Sequence, residues 1–115
     1  MQTISLPVDG DQMVVDCYDV PASEKPPVLL IHGWGGSGRY WRGTVERLGD
    51  RFGFLVPDLL GFGRSLPVRR GRDIFDQVDA LELLLKYLDI ARIHVVGHST
   101  GGAIAMVLAA RRPDL

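Results

Sequence analysis

Cysteine is nearly missing: Cys17 stands alone, so no internal disulfide can form and the fold must hold by packing. Long apolar runs are missing too. The longest uninterrupted one, Ala103 to Ala110, falls far short of the roughly 20 residues that carry a helix across a bilayer. Charge of one sign is not in excess, since the formal net charge is −1. That gives no pull toward nucleic acid or an anionic membrane, and neither is an expected partner. The first residues, Met1 to Pro7, have neither the basic stretch nor the apolar core of a secretory signal, so a cytoplasmic location is the expectation. Repeats and linker-like stretches are absent, and 115 residues read as one domain. The three histidines lack any spacing that would put them on one helix face as ligands, so no metal and no cofactor is expected.

What is present suffices for a core: 46% hydrophobic and 23% charged residues. Residues 3–8 and 12–18 alternate around Asp9-Gly10, which predicts an antiparallel hairpin. After a loop at Glu24-Lys25-Pro26-Pro27, Val28-Leu29-Leu30-Ile31 is the continuous apolar run of a strand buried on both faces. Ser37 is placed to cap a helix on which Trp41, Val45, Leu48 and Phe52 share a face. Gly53 to Asp58 reads as a short strand and Leu59 to Arg72 as a loop. Asp73 caps a second helix, with Ile74, Val78, Leu81, Leu85 and Leu88 on one side and a Glu82–Lys86 pair toward solvent. Ile93 to Val96 is a further buried strand, and residues 100–112 form a helix that is apolar nearly all round. A hairpin followed by strand–helix alternation predicts an α/β fold, a mostly parallel sheet with helices on its faces. Its glycine-rich loops then lie at the carboxyl ends of strands, where such sheets bind ligands.

Val95-Val96-Gly97-His98-Ser99-Thr100-Gly101-Gly102 holds the G-x-S-x-G pattern between a strand and a helix, the setting of a nucleophile elbow. Gly97 and Gly101 let strand and helix approach closely while the serine side chain is presented at the tip. Serine needs a base and oxyanion donors to act as a nucleophile. The Thr100 N–H follows it and is one candidate donor. The loop His32-Gly33-Trp34-Gly35 should lie beside the elbow, with the Trp34 N–H as the second. The competing readings are a serine that only caps the helix and a purely structural loop.

The same loop supports another reading. Gly33, Gly35 and Gly38 match G-x-G-x-x-G after a strand, with Asp58 further on, as in a dinucleotide-binding fingerprint. The bulky Trp34 and the preceding hairpin argue against it, and it leaves the elbow unexplained. No histidine is a convincing base. His32 is expected to hydrogen-bond the backbone of its loop, His94 to be a core group within a buried strand, and His98 to point away from its neighbour Ser99. Arg64, Arg69, Arg70 and Arg72 read as a solvated loop, and Cys17 as a small core residue.

With both glycine loops in view, the chain resembles the α/β-hydrolase fold family over essentially its whole length. The matching residues are His32-Gly33-Trp34-Gly35, then Pro57-Asp58-Leu59-Leu60-Gly61-Phe62-Gly63-Arg64-Ser65, then Gly97-His98-Ser99-Thr100-Gly101-Gly102. The resemblance implies Ser99 as nucleophile, the Trp34 and Thr100 N–H groups as oxyanion hole, and a small-molecule substrate. Haloalkane dehalogenases and many epoxide hydrolases look similar but carry aspartate at the elbow tip. A serine there favours esterases, carbon–carbon bond hydrolases, lactonases and haloperoxidase-like perhydrolases. The family order Ser…Asp/Glu…His implies that the acid and histidine lie beyond residue 115. Residues 1–115 would then be a single incomplete domain supplying the first five strands, inactive alone, with a complementary C-terminal half as partner. The alternative within the fold is a non-catalytic or partner-dependent binding module.

Overall fold

A computed structural model describes residues 1–20 and 25–115; Glu24, assigned above to a loop, lies outside them. Strands β1 (Gln2–Val8) and β2 (Asp11–Tyr18) form the antiparallel hairpin, with Asp9 and Gly10 at positive φ in the turn as a two-residue connection requires. Strand β3 (Val28–Ile31) leads through a 3-10 turn at Gly38–Trp41 into helix α1 (Arg42–Leu48), and β4 (Phe54–Pro57) follows. Helix α2 (Ile74–Tyr87), β5 (His94–Gly97) and α3 (Thr100–Arg111) complete the order. The sheet runs β1-β2-β4-β3-β5, antiparallel up to β4 and parallel from there on. Among the described residues no helix is long and apolar enough to cross a membrane.

Side chains alternate along β3 and divide the core in two. Leu29 and Ile31 join the cluster built with α2, α3 and the hairpin, while Val28 and Leu30 face Trp41 and Val45. Cys17 is buried in the first cluster, as expected of a small core residue. The pattern read as one helix from Trp41 to Phe52 is divided in the structure. A 3-10 turn, capped by Ser37 Oγ accepting from the Arg39 N–H at 3.3 Å, precedes α1. A turn on the Leu48 carbonyl follows it. The four apolar residues still pack together, so packing rather than helix continuity preserves the period.

Helix α2 begins in a full capping box. Asp73 accepts from the Asp76 N–H at 2.8 Å, and Asp76 accepts from the Asp73 N–H at 2.9 Å. Glu82 does not turn to Lys86; it pairs with Arg111 of α3 at 3.1 Å, tying the two helices. Three further readings are corrected. Among the described residues strand β5 pairs with β3 alone, and the burial expected of it is not found: His94 and Val96 are exposed because α1 covers β3 and β4 but not β5. His94 is therefore no core group. Met106 of α3 is 74% exposed, so that helix buries one side, at Ile104, Ala105 and Leu108. The arginines after Leu59 are a solvated run only in part: Arg64, Arg69 and Arg70 are exposed, whereas the Arg72 side chain is 4% exposed and pairs with Asp11, and Arg70 pairs with Asp76 at 3.2 Å. Acids of the hairpin and of the α2 cap face this loop, so its charges are matched.

Candidate active site

Strand order reverses at β3: the chain leaves β3 for β4 on one side and returns past it to β5 on the other. The loops that leave β3 and β5 therefore sit side by side at the carboxyl edge, the place where open α/β sheets form a binding crevice.

The first of these loops is anchored by His32, which is fully buried. Its Nε2 accepts from the Leu59 N–H at 2.9 Å, so Nδ1 carries the proton and donates to the Gly33 carbonyl at 2.7 Å. Burial pushes its pKa down, against the opposing effects of the Gly33 carbonyl and the Asp58 charge, which keeps the ring neutral. Both ring nitrogens are thus spent on backbone. Trp34 projects from the loop, 44% exposed, and stacks on Phe62 with ring centroids 4.8 Å apart. Phe62 in turn meets His32 edge-on at 5.8 Å.

The second loop is the tight strand-to-helix turn. Ser99 takes φ 56° and ψ −122°, a conformation that only a surrounding lattice of contacts holds in a residue other than glycine. Gly97 and Gly101 supply that lattice. A Cβ on Gly97 would lie 2.6 Å from the Gly102 nitrogen, and one on Gly101 would lie 2.6 Å from the His32 carbonyl oxygen. Gly33 lies directly against the turn: a Cβ there would come within 3.2 Å of the Ser99 Cβ and 3.7 Å of its Oγ. The Ser99 hydroxyl makes no capping hydrogen bond to α3, and the residue is exposed.

Among the first N–H groups of α3, those of Gly101, Gly102 and Ala103 bond to the carbonyls of His98 and Ser99. The Thr100 N–H is left over, and the Trp34 N–H likewise donates to no group among the described residues. His98 is exposed and stacks on Tyr40 at 4.6 Å, while His94 starts β5 at the strand end away from Ser99. The structure thus brings Gly33, Trp34, His98, Ser99, Thr100 and Gly101 together and sets no histidine ring in a hydrogen bond with the serine among the described residues.

Asp58 is 2% exposed and accepts from the Gly38 N–H at 2.8 Å, the Arg64 N–H at 2.9 Å and Arg64 Nε at 2.9 Å. Both its oxygens are committed, which removes the acid that a dinucleotide ribose needs and weighs against that reading. Ser65 donates to the Asp58 carbonyl at 2.6 Å and accepts from the Val14 N–H at 2.9 Å. Gln77, buried in α2, clamps Leu60 through both its N–H and its carbonyl. Tyr40 and Gln77 do not stand out in the sequence; Gln77, a polar residue beside the apolar α2 stripe, is the one available signal.

A family model for the alpha/beta hydrolase fold matches residues 26–115, and the chain belongs to that family. It is 40% identical over 94 residues to an uncharacterized protein of Mycobacterium tuberculosis, covering 82% of this chain and 28% of that protein. It is 41% identical over 95 residues to a putative carbamate hydrolase, RutD, of Pseudomonas syringae, covering 81% of this chain and 36% of the relative. A haloalkane dehalogenase loop variant from Bradyrhizobium elkanii superposes with a TM-score of 0.88 at 33% identity, over 99% of this chain and 37% of that one. The chain thus spans about a third of the length of the proteins it matches.

Proposed function

We propose that this chain carries the nucleophile portion of a serine hydrolase acting on an ester-like or activated carbonyl compound through an acyl-enzyme. The observation that carries the reading is Ser99 itself, held at left-handed φ with its hydroxyl exposed and not spent on capping α3. In the proposed reaction Ser99 Oγ attacks the carbonyl carbon and its proton passes to a base. The carbonyl electron pair moves onto oxygen, which lies between the Trp34 and Thr100 N–H groups. Collapse of the tetrahedral intermediate expels the leaving group with that proton, and water then hydrolyses the acyl-serine. A serine flanked by two N–H donors fits carbonyl chemistry better than displacement at an alkyl carbon, which separates this reading from the dehalogenase of similar fold. The carbamate in the name of the Pseudomonas relative falls within the same carbonyl class.

His32, His94 and His98 do not serve as base in this scheme. The acid and histidine are assigned to the part of the fold that the longer relatives have beyond the matched stretch, so residues 1–115 taken alone lack the base. The test uses p-nitrophenyl acetate. Turnover by the chain alone should equal that of Ser99→Ala, and a separately made C-terminal segment of a relative should restore Ser99-dependent hydrolysis. A Ser99-dependent burst from the chain alone would overturn the missing base. Restored substrate binding without turnover would favour a non-catalytic module.

A further inference from the structure

The α1 side of the sheet holds a second concavity, which the proposed chemistry leaves unused. It is a cleft of about 460 Å³ between β2, the 3-10 turn and α1, with Val56 of β4 also lining it. That volume is of small-molecule size. Its lining includes the apolar Trp41, Val45 and Val56 and three arginines, Arg39, Arg42 and Arg64. Its two carboxylates, Asp16 and Asp58, are both spent on Arg64, at 3.0 Å and 2.9 Å. Arg39 and Arg42 are exposed and form no ion pair among the described residues. Trp41 is 8% exposed, and its buried Nε1–H finds no acceptor among the described residues. Among the lining residues donors are therefore in surplus and neither carboxylate is free, which disfavours a cation.

We propose that this cleft binds a small amphiphilic carboxylate, its head between Arg39 and Arg42 and its apolar body against Trp41, Val45 and Val56. Two guanidiniums match one anionic head, and the apolar wall gives an inorganic ion nothing to bury. The inference does not depend on the role of Ser99.

The probe is phenylacetate, titrated into chain carrying ¹⁵N at its indole nitrogens. The two resonances belong to Trp34 and Trp41, and Trp34→Phe assigns them. The Trp41 resonance should shift saturably with a Kd of about 0.1–1 mM, while the Trp34 resonance, from the ring stacked on Phe62, stays in place. Arg39→Ala with Arg42→Ala, both at exposed positions, should weaken binding about tenfold or more. Phenylacetamide should shift nothing. The proposal is overturned if phenylacetamide shifts Trp41 as well, if the double variant binds like the parent, or if Trp41 is unmoved at about 10 mM phenylacetate. Equal saturation by inorganic phosphate would overturn the apolar half of the assignment.

Discussion

Gly101 of α3 lies against the main chain at the end of β3, where a Cβ on it would stand 2.6 Å from the His32 carbonyl oxygen. This contact joins the elbow to the neighbouring strand, and the obstacle is backbone that has no rotamer with which to give way. Gly101→Ala should therefore cost about 3 kcal/mol or more, the scale of severe overpacking. Gly97→Ala should match it, because its Cβ would collide with the backbone of Gly101 and Gly102. Gly102→Ala is the control. There the nearest contact is 3.5 Å, and replacing a helical glycine should stabilise by roughly 0.5–1 kcal/mol. Urea unfolding of the three variants checks the order, and equal effects at Gly101 and Gly102 would sink the argument.

Such close contacts explain what could be read from the sequence. Gly97, Ser99 and Gly101 form a pattern that is local in sequence, as do Asp73 at its cap and the hairpin turn, although the contact that makes Gly101 obligatory comes from β3. Burial of β5 is a different matter. An apolar run such as Ile93 to Val96 looks the same in a central strand and at an edge, and only the strand order shows that α1 does not reach it. The Arg72–Asp11 pair joins residues 61 apart, so Arg72 looks as solvated as its neighbours until the hairpin acid is placed beside it. The stacking of Tyr40 on His98 likewise follows from two loops meeting, which no periodicity encodes.

Asp58 gives the loops at Gly38 and Arg64 an acid-sensitive support. Burial raises its pKa, but the Arg64 guanidinium and the N–H groups of Arg64 and Gly38 outweigh that and leave the carboxyl below its usual range. A lowered folded-state pKa means that the contribution is fully present above the ordinary value of about 3.9 and is lost as pH falls through the folded value. Asp58→Asn should cost about 1.5–3 kcal/mol at neutral pH, the range for hydrogen bonds to a charged group. The gap to the parent should close as pH drops below about 4. Urea midpoints measured from neutral pH down to about pH 3 decide it; a gap that persists undiminished into acid would count against the pairing.

Strain at Ser99 makes the last prediction the most direct. Its φ of 56° and ψ of −122° fall where a β-carbon is crowded, at a cost of about 1–3 kcal/mol. Glycine adopts this region without the penalty, so Ser99→Gly should stabilise the fold by about 1 kcal/mol after glycine's greater chain entropy is offset. Ser99→Ala keeps the β-carbon and should change stability by less than about 0.5 kcal/mol. Both substitutions should remove hydrolysis in the complemented assay. Stability gained and activity lost at one residue is the signature of a conformation maintained for chemistry. If Ser99→Gly proves less stable than Ser99→Ala in chemical denaturation, the turn is relaxed, and the strongest support for a nucleophile at this position goes with it.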